Sequence, residues 1–433
     1  MKRTIFIRRG LEFAIGAFVV TLLFMISVVR AYPETVQVIV GTNQAGIGAF
    51  TAYLPPFAAL DRDTDVNRVQ IPASPPGTLR NFRVRVSVAP GVGKSFTFTF
   101  MKNGVDQSLS VVISDTNTTG EDTTNSFTVS AGDRIAIRAV GTTGTPNSIP
   151  SWAFEFVPDV DNNFWIGAVA RPDTNATVYT TMYGGRDSTY GETYVKVPMP
   201  VGGTFSSLYV KQNVDPGTYP DAFTYRLRVN GGNGNLTCTI VADYTSCNDT
   251  VNSDSVIAGD LVNTVVVPVS TPALFPWAGI GLTFVPSLSG YAPVFLGNRS
   301  LSLSNSSDNY NVAAGYLYNA WDSVDDTYVL TNEATLRNLY VFLTAAPGSG
   351  KSYTVTMRKN ASDSTVSCTV SGTNTTCNDV SNTEGFANGD RISVEASPIN
   401  SPTSSALSIG YVLVYGAAVP EPTPTPFMYG WLD

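Results

Sequence analysis

Residues 77–114 read GTLRNFRVRVSVAPGVGKSFTFTFMKNGVDQSLSVVIS, and residues 334–371 read ATLRNLYVFLTAAPGSGKSYTVTMRKNASDSTVSCTVS. A more diverged third copy occupies residues 203–241, GTFSSLYVKQNVDPGTYPDAFTYRLRVNGGNGNLTCTIV. Each copy is followed by a Gly-Asp turn, at Gly132, Gly259 and Gly389, so the pattern recurs after 127 and then 130 residues. A period of this length is that of a whole domain and not of a solenoid unit. The sequence therefore predicts three tandem domains, each with its own core.

The copies have the alternation of β-strands. Apolar and polar residues alternate through 95–100 (SFTFTF) and 352–357 (SYTVTM), as in a strand that is buried on one face. Clusters of Pro, Gly and Asn separate such segments, and no helical period is sustained after Ala31. About eight short strands per copy predict an all-β fold of three jelly-roll-like sandwiches, with an Ig-like sandwich as the alternative.

The first two copies end on Val-Pro, at Pro158 and Pro286, and a tail of alternating prolines follows the third. These landmarks predict the following organisation: a signal peptide or membrane anchor at 1–31, repeat 1 at 32–159, repeat 2 at 160–288, repeat 3 at 289–418, and a Pro-rich tail at 419–433.

The N-terminus indicates export. Four basic residues precede an apolar stretch at 11–29, which we expect to be helical, and Val29-Arg30-Ala31 suits cleavage by a signal peptidase. The stretch is also close to the length that spans a bilayer, so retention as an anchor stays open. Either outcome places the repeats outside the cytoplasm, in an extracellular or cell-surface location.

The four cysteines form two matched pairs. Cys238 and Cys247 lie in repeat 2, and Cys368 and Cys377 lie at the equivalent positions of repeat 3. Repeat 1 has Val111 and Gly120 at these positions. Two local disulfides are predicted, which fits an oxidising exterior, and the repeat without a bridge indicates that the bridges are structural.

Metal and catalytic chemistry have few candidates. Asp61, Asp63 and Asp65 alternate as in calcium loops, but Val66 replaces the glycine that such a loop needs, so calcium is a weak candidate and no other cofactor is expected.

The chain contains no histidine, which excludes Ser-His-Asp and Cys-His catalysis. The Gly-Lys-Ser run at 350–352 opens an alternating strand where a phosphate loop needs a helix, so a turn is predicted there. The aspartates of the Gly-Asp turns are expected to be turn formers.

Charge and aromatic residues restrict the partners. A net charge of −8 without a basic run argues against nucleic acid. Tyrosines and a tryptophan in the early loops could stack on sugar rings, although packing roles are expected more often; they are Tyr179, Tyr183, Tyr190, Trp321 and Tyr328. The segment at 35–40 is either the first strand of its own sandwich or a strand donated to a neighbouring copy.

The Leu-Arg-Asn strand, Ala-Pro-Gly-x-Gly-Lys-Ser, Lys-Asn, Thr-Asn-Thr-Thr and Gly-Asp-Arg-Ile of residues 78–135 and 335–392 resemble a β-sandwich repeat of uncharacterised surface and phage structural proteins. The resemblance implies display and assembly and no reaction. The prediction is a non-catalytic extracellular protein that self-associates in a fibre, sheath or envelope layer or acts as an adhesin. The alternatives are an array of carbohydrate-binding modules and a glycoside hydrolase.

Overall fold

The computed structural model describes residues 34–57, 62–185, 188–298, 300–317, 321–322, 324 and 328–416. The predicted apolar helix within 1–31 and the Pro-rich tail at 419–433 lie outside these residues. The chain divides into Met1–Glu34, of which Glu34 alone is described, and Thr35–Asp433, a compact unit that contains every strand given below. Within the described ranges, no helix has the length and apolar character needed to cross a bilayer.

Strands dominate all three repeats, and the helical elements of the described residues are two short 3₁₀ turns, Val66–Arg68 and Glu192–Tyr194. The strands of repeat 1 are β1 (Gln37–Thr42), β2 (Thr51–Leu54), β3 (Ile71–Pro72), β4 (Gly77–Val86), β5 (Gly91–Lys102), β6 (Val105–Asp115), β7 (Thr119–Val129), β8 (Arg134–Gly141) and β9 (Pro150–Pro158). Those of repeat 2 are β10 (Phe164–Ala170), β11 (Val178–Thr180), β12 (Val197–Pro198), β13 (Gly203–Gln212), β14 (Ala222–Val229), β15 (Gly232–Val241), β16 (Ser246–Val256), β17 (Leu261–Val269) and β18 (Ala278–Pro286). Those of repeat 3 are β19 (Ala292–Asn298), β20 (Asn309–Val312), β21 (Gly315–Leu317), β22 (Val329–Leu330), β23 (Ala334–Leu343), β24 (Gly348–Lys359), β25 (Ser362–Gly372), β26 (Thr376–Phe386), β27 (Arg391–Ile399) and β28 (Leu407–Tyr415).

Each repeat is a pair of sheets with the strand order of a jelly roll. In repeat 1 the inner sheet has the order β1-β9-β4-β7, and the outer sheet has the order β2-β8-β5-β6 with β3 beside β8. The inner sheets of repeats 2 and 3 contain β10-β18-β13-β16 and β19-β28-β23-β26, and the outer sheets contain β11-β17-β14-β15 and β20-β27-β24-β25. This is the two-sheet Greek-key order of a jelly roll, as predicted, and not that of an Ig sandwich. The precise domain boundaries stay a prediction.

The hairpin between β5 and β6 shows how the sequence specifies these elements locally. Asn103 and Gly104 have φ of 54° and 82°, the positive values of a two-residue type I′ turn, which Asn-Gly adopts readily. The side-chain amide nitrogen of Asn103 also donates to Asp133 Oδ1, and the side-chain oxygen of Asn103 accepts from the backbone amide of Arg134 at 2.9 Å. Asn230 and Asn360 make the same contacts with their own Gly-Asp turns.

The hydrophobic core is continuous through the three repeats. It includes Ile39 and Phe100 in repeat 1, Phe205 in repeat 2, and Leu336 in repeat 3, all fully buried. The expectation that each repeat has its own core stays a prediction. The continuity arises because one short strand of each repeat, β3, β12 or β22, packs on the inner sheet of another repeat.

The first such contact places β3 of repeat 1 on the inner sheet of repeat 2. The Trp165 indole donates to the Pro72 carbonyl at 2.9 Å, and the Ser74 hydroxyl donates to the Ser207 carbonyl at 2.8 Å. A Cβ at Gly281 would lie 2.1 Å from the Pro72 carbonyl oxygen. Only glycine allows the two backbones to approach this closely.

The same contact recurs twice. Strand β12 of repeat 2 lies on β28 of repeat 3, where a Cβ at Gly410 would lie 2.0 Å from the Pro198 carbonyl oxygen. Strand β22 of repeat 3 lies on β9 and β1 of repeat 1, where the Leu330 amide donates to the Ser151 hydroxyl at 2.7 Å. Repeat 3 thus returns to repeat 1 and closes a ring of head-to-tail interfaces within one chain.

Near the contact between repeats 1 and 2, a tyrosine covers the open edge of β1. The buried Tyr183 hydroxyl donates to the Val40 carbonyl at 3.1 Å and accepts from the Val40 amide at 3.2 Å. The Phe57 ring packs edge-on against both Tyr183 and Trp165, with ring centroids 4.8 and 4.9 Å apart. The segment at 35–40 therefore leads into the first strand of its own sandwich, and its edge is covered within the chain.

Candidate functional site

The predicted calcium residues support a turn where they are described. The Asp63 carboxylate accepts from the Asp65 amide at 2.9 Å and lies 3.8 Å from the Arg68 guanidinium. Asp65 accepts from the Asn67 amide and so caps the 3₁₀ turn at Val66–Arg68. No group of three metal-ligating side chains occurs in the described part of the chain. Asp61 lies outside it, so calcium binding at this loop stays a prediction.

The cysteines pair within their repeats as predicted. Cys238–Cys247 and Cys368–Cys377 are disulfides with Cα–Cα distances of 5.7 and 5.9 Å, and each joins the outer-sheet strand β15 or β25 to the inner-sheet strand β16 or β26. In repeat 1 a Cβ at Gly120 would lie 2.8 Å from Val111 Cγ1. The valine therefore occupies the space that the bridge fills in the other two repeats, which indicates a structural role for the bridges.

The other motifs singled out in the sequence also have local roles. Asp133 Oδ2 accepts from the Ser130 amide at 2.8 Å and closes the Gly-Asp turn, and Gly350-Lys351-Ser352 lies within β24. The five loop aromatics differ in exposure: Tyr183 is buried, Tyr190 is 68% exposed with its hydroxyl donating to Asp173, and Tyr179, Trp321 and Tyr328 are partly buried. Tyr179, Tyr183 and Tyr190 belong to repeat 2, and Trp321 and Tyr328 belong to repeat 3, so stacking on sugar rings stays a prediction.

A second acid recurs in all three repeats and was missed from the sequence. It is the Asp of an Asp-x-x-Asn pair inside β7, β16 and β26, at Asp122, Asp249 and Asp379. Burial alone would raise the pKa of Asp122, but amide hydrogens of Ser110, Asn125 and Thr124 donate to its carboxylate and lower the pKa to about 2. A carboxylate held in this way stabilises the strand and is unsuited to donate protons near neutral pH.

A groove recurs at each interface between repeats. Groove 1–2, of about 480 Å³, is lined by residues that include Pro72, Gly132, Arg134, Tyr209, Lys211 and Asn248. Groove 3–1, of about 400 Å³, is lined by Arg83, Val84, Glu121, Leu330, Asn388 and Gly389 among others. Groove 2–3, of about 260 Å³, is lined by Pro198, Gly259, Tyr340, Val341, Cys377 and Asn378 among others. Each lies where a short strand (β3, β12 or β22) and a Gly-Asp turn of one repeat meet the inner sheet of another.

The three grooves differ in charge. In groove 3–1, Arg83 forms an ion pair with Glu121, so the positive charge is neutralised. The residues of groove 2–3 that correspond to this pair are Tyr340 and Asn378, which carry no charge. Groove 1–2 contains the cations Arg134 and Lys211, and no carboxylate is among its lining residues. Burial, and then the neighbouring Arg134 charge, lower the pKa of the Lys211 ammonium.

Groove 1–2 is therefore the candidate binding site of the described chain. No pattern in the sequence points to this groove, because its residues come from segments of repeats 1 and 2 that only the ring brings together. A signal for the interface itself was present: glycines inside the last strand of a repeat, Gly281 and Gly410, suggest a close backbone approach.

No protein-family model matches the sequence, and no curated protein matches it. Among solved structures, the chain is similar to one described under "The Triple Jelly Roll Fold and Turret Assembly in an Archaeal Virus", at 14% identity over 79% of this chain and 83% of that chain, with a TM-score of 0.18. A structure of the Sulfolobus Turreted Icosahedral Virus matches at 15% identity over 79% and 83%, again with a TM-score of 0.18. The M60 catalytic domain with the CBM51-1 and CBM51-2 domains from Clostridium perfringens ZmpB matches at 8% identity over 89% and 55%, with a TM-score of 0.18.

TM-scores this low carry no argument about function, so the fold assignment rests on the strand order of the chain itself.

Proposed function

We propose that the protein is a non-catalytic building block of an extracellular assembly, such as a fibre, sheath or envelope layer, and that copies of it self-associate. The observation that carries the proposal is the closed ring with its continuous core. Each repeat contacts both others, so no repeat can move without breaking two interfaces. A rigid block of this kind suits load-bearing assembly better than catalysis, which often requires moving segments.

The two disulfides support the extracellular location. Bridges that persist are typical of oxidising compartments, and each one ties an outer-sheet strand to an inner-sheet strand of the same sandwich. A bridge across so short a loop is expected to stabilise its repeat by about 2–3 kcal/mol on the chain-entropy account. Such stabilisation is useful outside the cell, where no chaperone restores an unfolded subunit.

The outer sheet of repeat 2 is the surface that we assign to self-association. Val241 and Val269 both pair with Ala222, so they lie in one row across three strands, and they are 44% and 41% exposed. Val267, two residues from Val269, is 37% exposed on the same strand. An exposed apolar group on a sheet indicates a partner, and a second copy is the simplest partner for a building block.

The equivalent surface of repeat 1 is polar at two of these three positions, where Ser114 and Thr142 stand for Val241 and Val269. The apolar row is thus a property of one repeat and not of the fold. One contact surface per ring would make a dimer if the contact is symmetric, and a filament if it engages a different surface of the next copy.

Light scattering over a range of protein concentrations, with electron microscopy of the same samples, tests the proposal. We expect the mass to rise with concentration and ordered particles to form. Val269→Asp should abolish this association, whereas Val112→Asp, at a 59% exposed position in repeat 1, should not. A protein that stays monomeric at all concentrations would contradict self-association.

A further inference from the structure

We propose that groove 1–2 binds the carboxylate of an acidic saccharide. This is a ligand-binding role beyond the structural function proposed for the ring as a whole. The chemical class follows from unpaired positive charge, an unpartnered buried amide and a tyrosine ring at one interface.

The positive charge in the groove has no counter-ion. In the described part of the chain, neither Arg134 nor Lys211 forms an ion pair with a carboxylate, and Lys211 donates to the Thr245 hydroxyl only. Two neighbouring cations repel one another and lose hydration on burial, which is consistent with the lowered pKa of Lys211. An anion between them would relieve both effects and would accept charge-assisted hydrogen bonds from both.

The interface between repeats 3 and 1 shows how two such cations are satisfied within the chain. At this interface, the Arg85 guanidinium donates to the Tyr328 hydroxyl at 2.8 Å, and Arg391 lies over the same ring at 4.9 Å. By strand position, Arg85 and Arg391 correspond to Lys211 and Arg134. Tyr328, which directly precedes β22, is thus the neutral partner of both cations.

In repeat 1 the residue that directly precedes β3 is Gln70, so it corresponds to Tyr328. Gln70 is 3% exposed, and neither its side-chain nitrogen nor its oxygen has a hydrogen-bond partner. A buried amide without partners costs free energy, and Gln70 lies two residues before Pro72, which lines groove 1–2. Repeat 1 thus has an unpartnered polar group at the position where repeat 3 has Tyr328.

The remaining lining favours a saccharide. Tyr209 offers an aromatic ring, and Ser246 and Asn248 offer a hydroxyl and an amide, the groups that recognise sugar rings and their hydroxyls. The groove volume of about 480 Å³ falls within the range of roughly 300–1,000 Å³ typical of small-molecule sites. The cations add selectivity for a sugar with a carboxylate, such as a uronic acid.

The experiment is a calorimetric titration of the full chain with tri-galacturonate, with a neutral glucose trisaccharide, and with tri-glutamate. We expect tri-galacturonate to bind and the neutral sugar to bind at least about 10-fold more weakly, because one charge-assisted contact corresponds to about a factor of 10. Arg134→Gln and Lys211→Gln should each weaken tri-galacturonate binding about 10-fold, since each removes one charged donor. Lys211→Arg keeps the charge and should retain binding.

Arg391→Gln is the matched control, because it removes the corresponding arginine at the interface between repeats 3 and 1 and should leave the affinity unchanged. The proposal is overturned if tri-galacturonate does not bind, if the neutral sugar binds equally well, or if tri-glutamate binds and the sugar does not. It is also overturned if Arg391→Gln weakens binding as much as Arg134→Gln does.

Discussion

Gly281 is one of two glycines, with Gly279, at which the contact between repeats 1 and 2 leaves no room for a side chain. A Cβ there would lie 2.1 Å from the Pro72 carbonyl oxygen, which is 1.3 Å short of the 3.4 Å at which ordinary van der Waals contact begins. The obstructing atom belongs to the backbone of β3, so it cannot rotate away as a side chain would. Gly281→Ala should therefore lower the free energy of unfolding by about 1–3 kcal/mol, the usual cost of overpacking.

Gly385→Ala is the matched control. Gly385 also lies in a strand, β26, but no heavy atom would lie within 4 Å of its Cβ. The added methyl group should leave stability unchanged or raise it by about 0.4–1 kcal/mol, because alanine restricts the unfolded chain more than glycine does. The two variants thus separate the effect of the interface from the effect of the substitution.

Equilibrium unfolding in guanidinium chloride, followed by tryptophan fluorescence, measures both variants. The Trp165 indole donates to Pro72 at this interface, so its emission reports on the same contact. Gly410→Ala should reproduce the loss at the contact between repeats 2 and 3, where the Cβ would lie 2.0 Å from a carbonyl oxygen. If Gly281→Ala and Gly385→Ala unfold at the same denaturant concentration, β3 does not pack on repeat 2 and the reasoning is refuted.

Three further predictions follow from individual contacts. Val111→Cys combined with Gly120→Cys should form a third disulfide, detectable by non-reducing peptide mapping, and should raise the unfolding free energy by about 2–3 kcal/mol; two free thiols would argue against the equivalence of the repeats. Asp122→Asn should cost about 2 kcal/mol at pH 7, because folding lowers the pKa of this carboxyl from 3.8 to about 2. The stabilisation is fully present above the unfolded value and is lost as the pH falls through the folded value, so an equal deficit at pH 7 and pH 2 would contradict it. Tyr183→Phe leaves the Val40 amide and carbonyl without their partner and should cost about 1–3 kcal/mol in thermal unfolding; an unchanged midpoint would contradict the covered edge.

The sandwiches could be predicted from the sequence because their signals are local. Alternation of apolar and polar residues, Asn-Gly turns such as Asn103-Gly104, and the repeat period all act within one copy. The disulfides were predictable for a similar reason, since each pair lies close in sequence and recurs at equivalent positions. Local rules of this kind apply wherever the repeat stands in the molecule.

The ring could not be predicted because its contacts join segments far apart in the chain. Leu330 and Ser151 are 179 residues apart, and nothing in either segment identifies the other. Groove 1–2 could not be predicted for the same reason, since the sequence around Arg134 and around Lys211 is that of an ordinary strand with an exposed cation. The calcium candidates stay a prediction, since the alternation of Asp63 and Asp65 also suits a turn in which both carboxylates accept from backbone amides of their own segment.

Closure of the ring is tested most directly by a double-mutant cycle between Arg85 of repeat 1 and Tyr328 of repeat 3. The arginine donates to the tyrosine hydroxyl at 2.8 Å although the two residues are 243 positions apart in sequence. The account predicts that Arg85→Gln and Tyr328→Phe are non-additive in unfolding free energy, with a coupling of about 0.5–3 kcal/mol. Arg85→Gln combined with Tyr190→Phe, at an exposed site in repeat 2, should be additive. A coupling of zero between Arg85 and Tyr328 would mean that repeats 1 and 3 do not meet, and the closed ring would be contradicted.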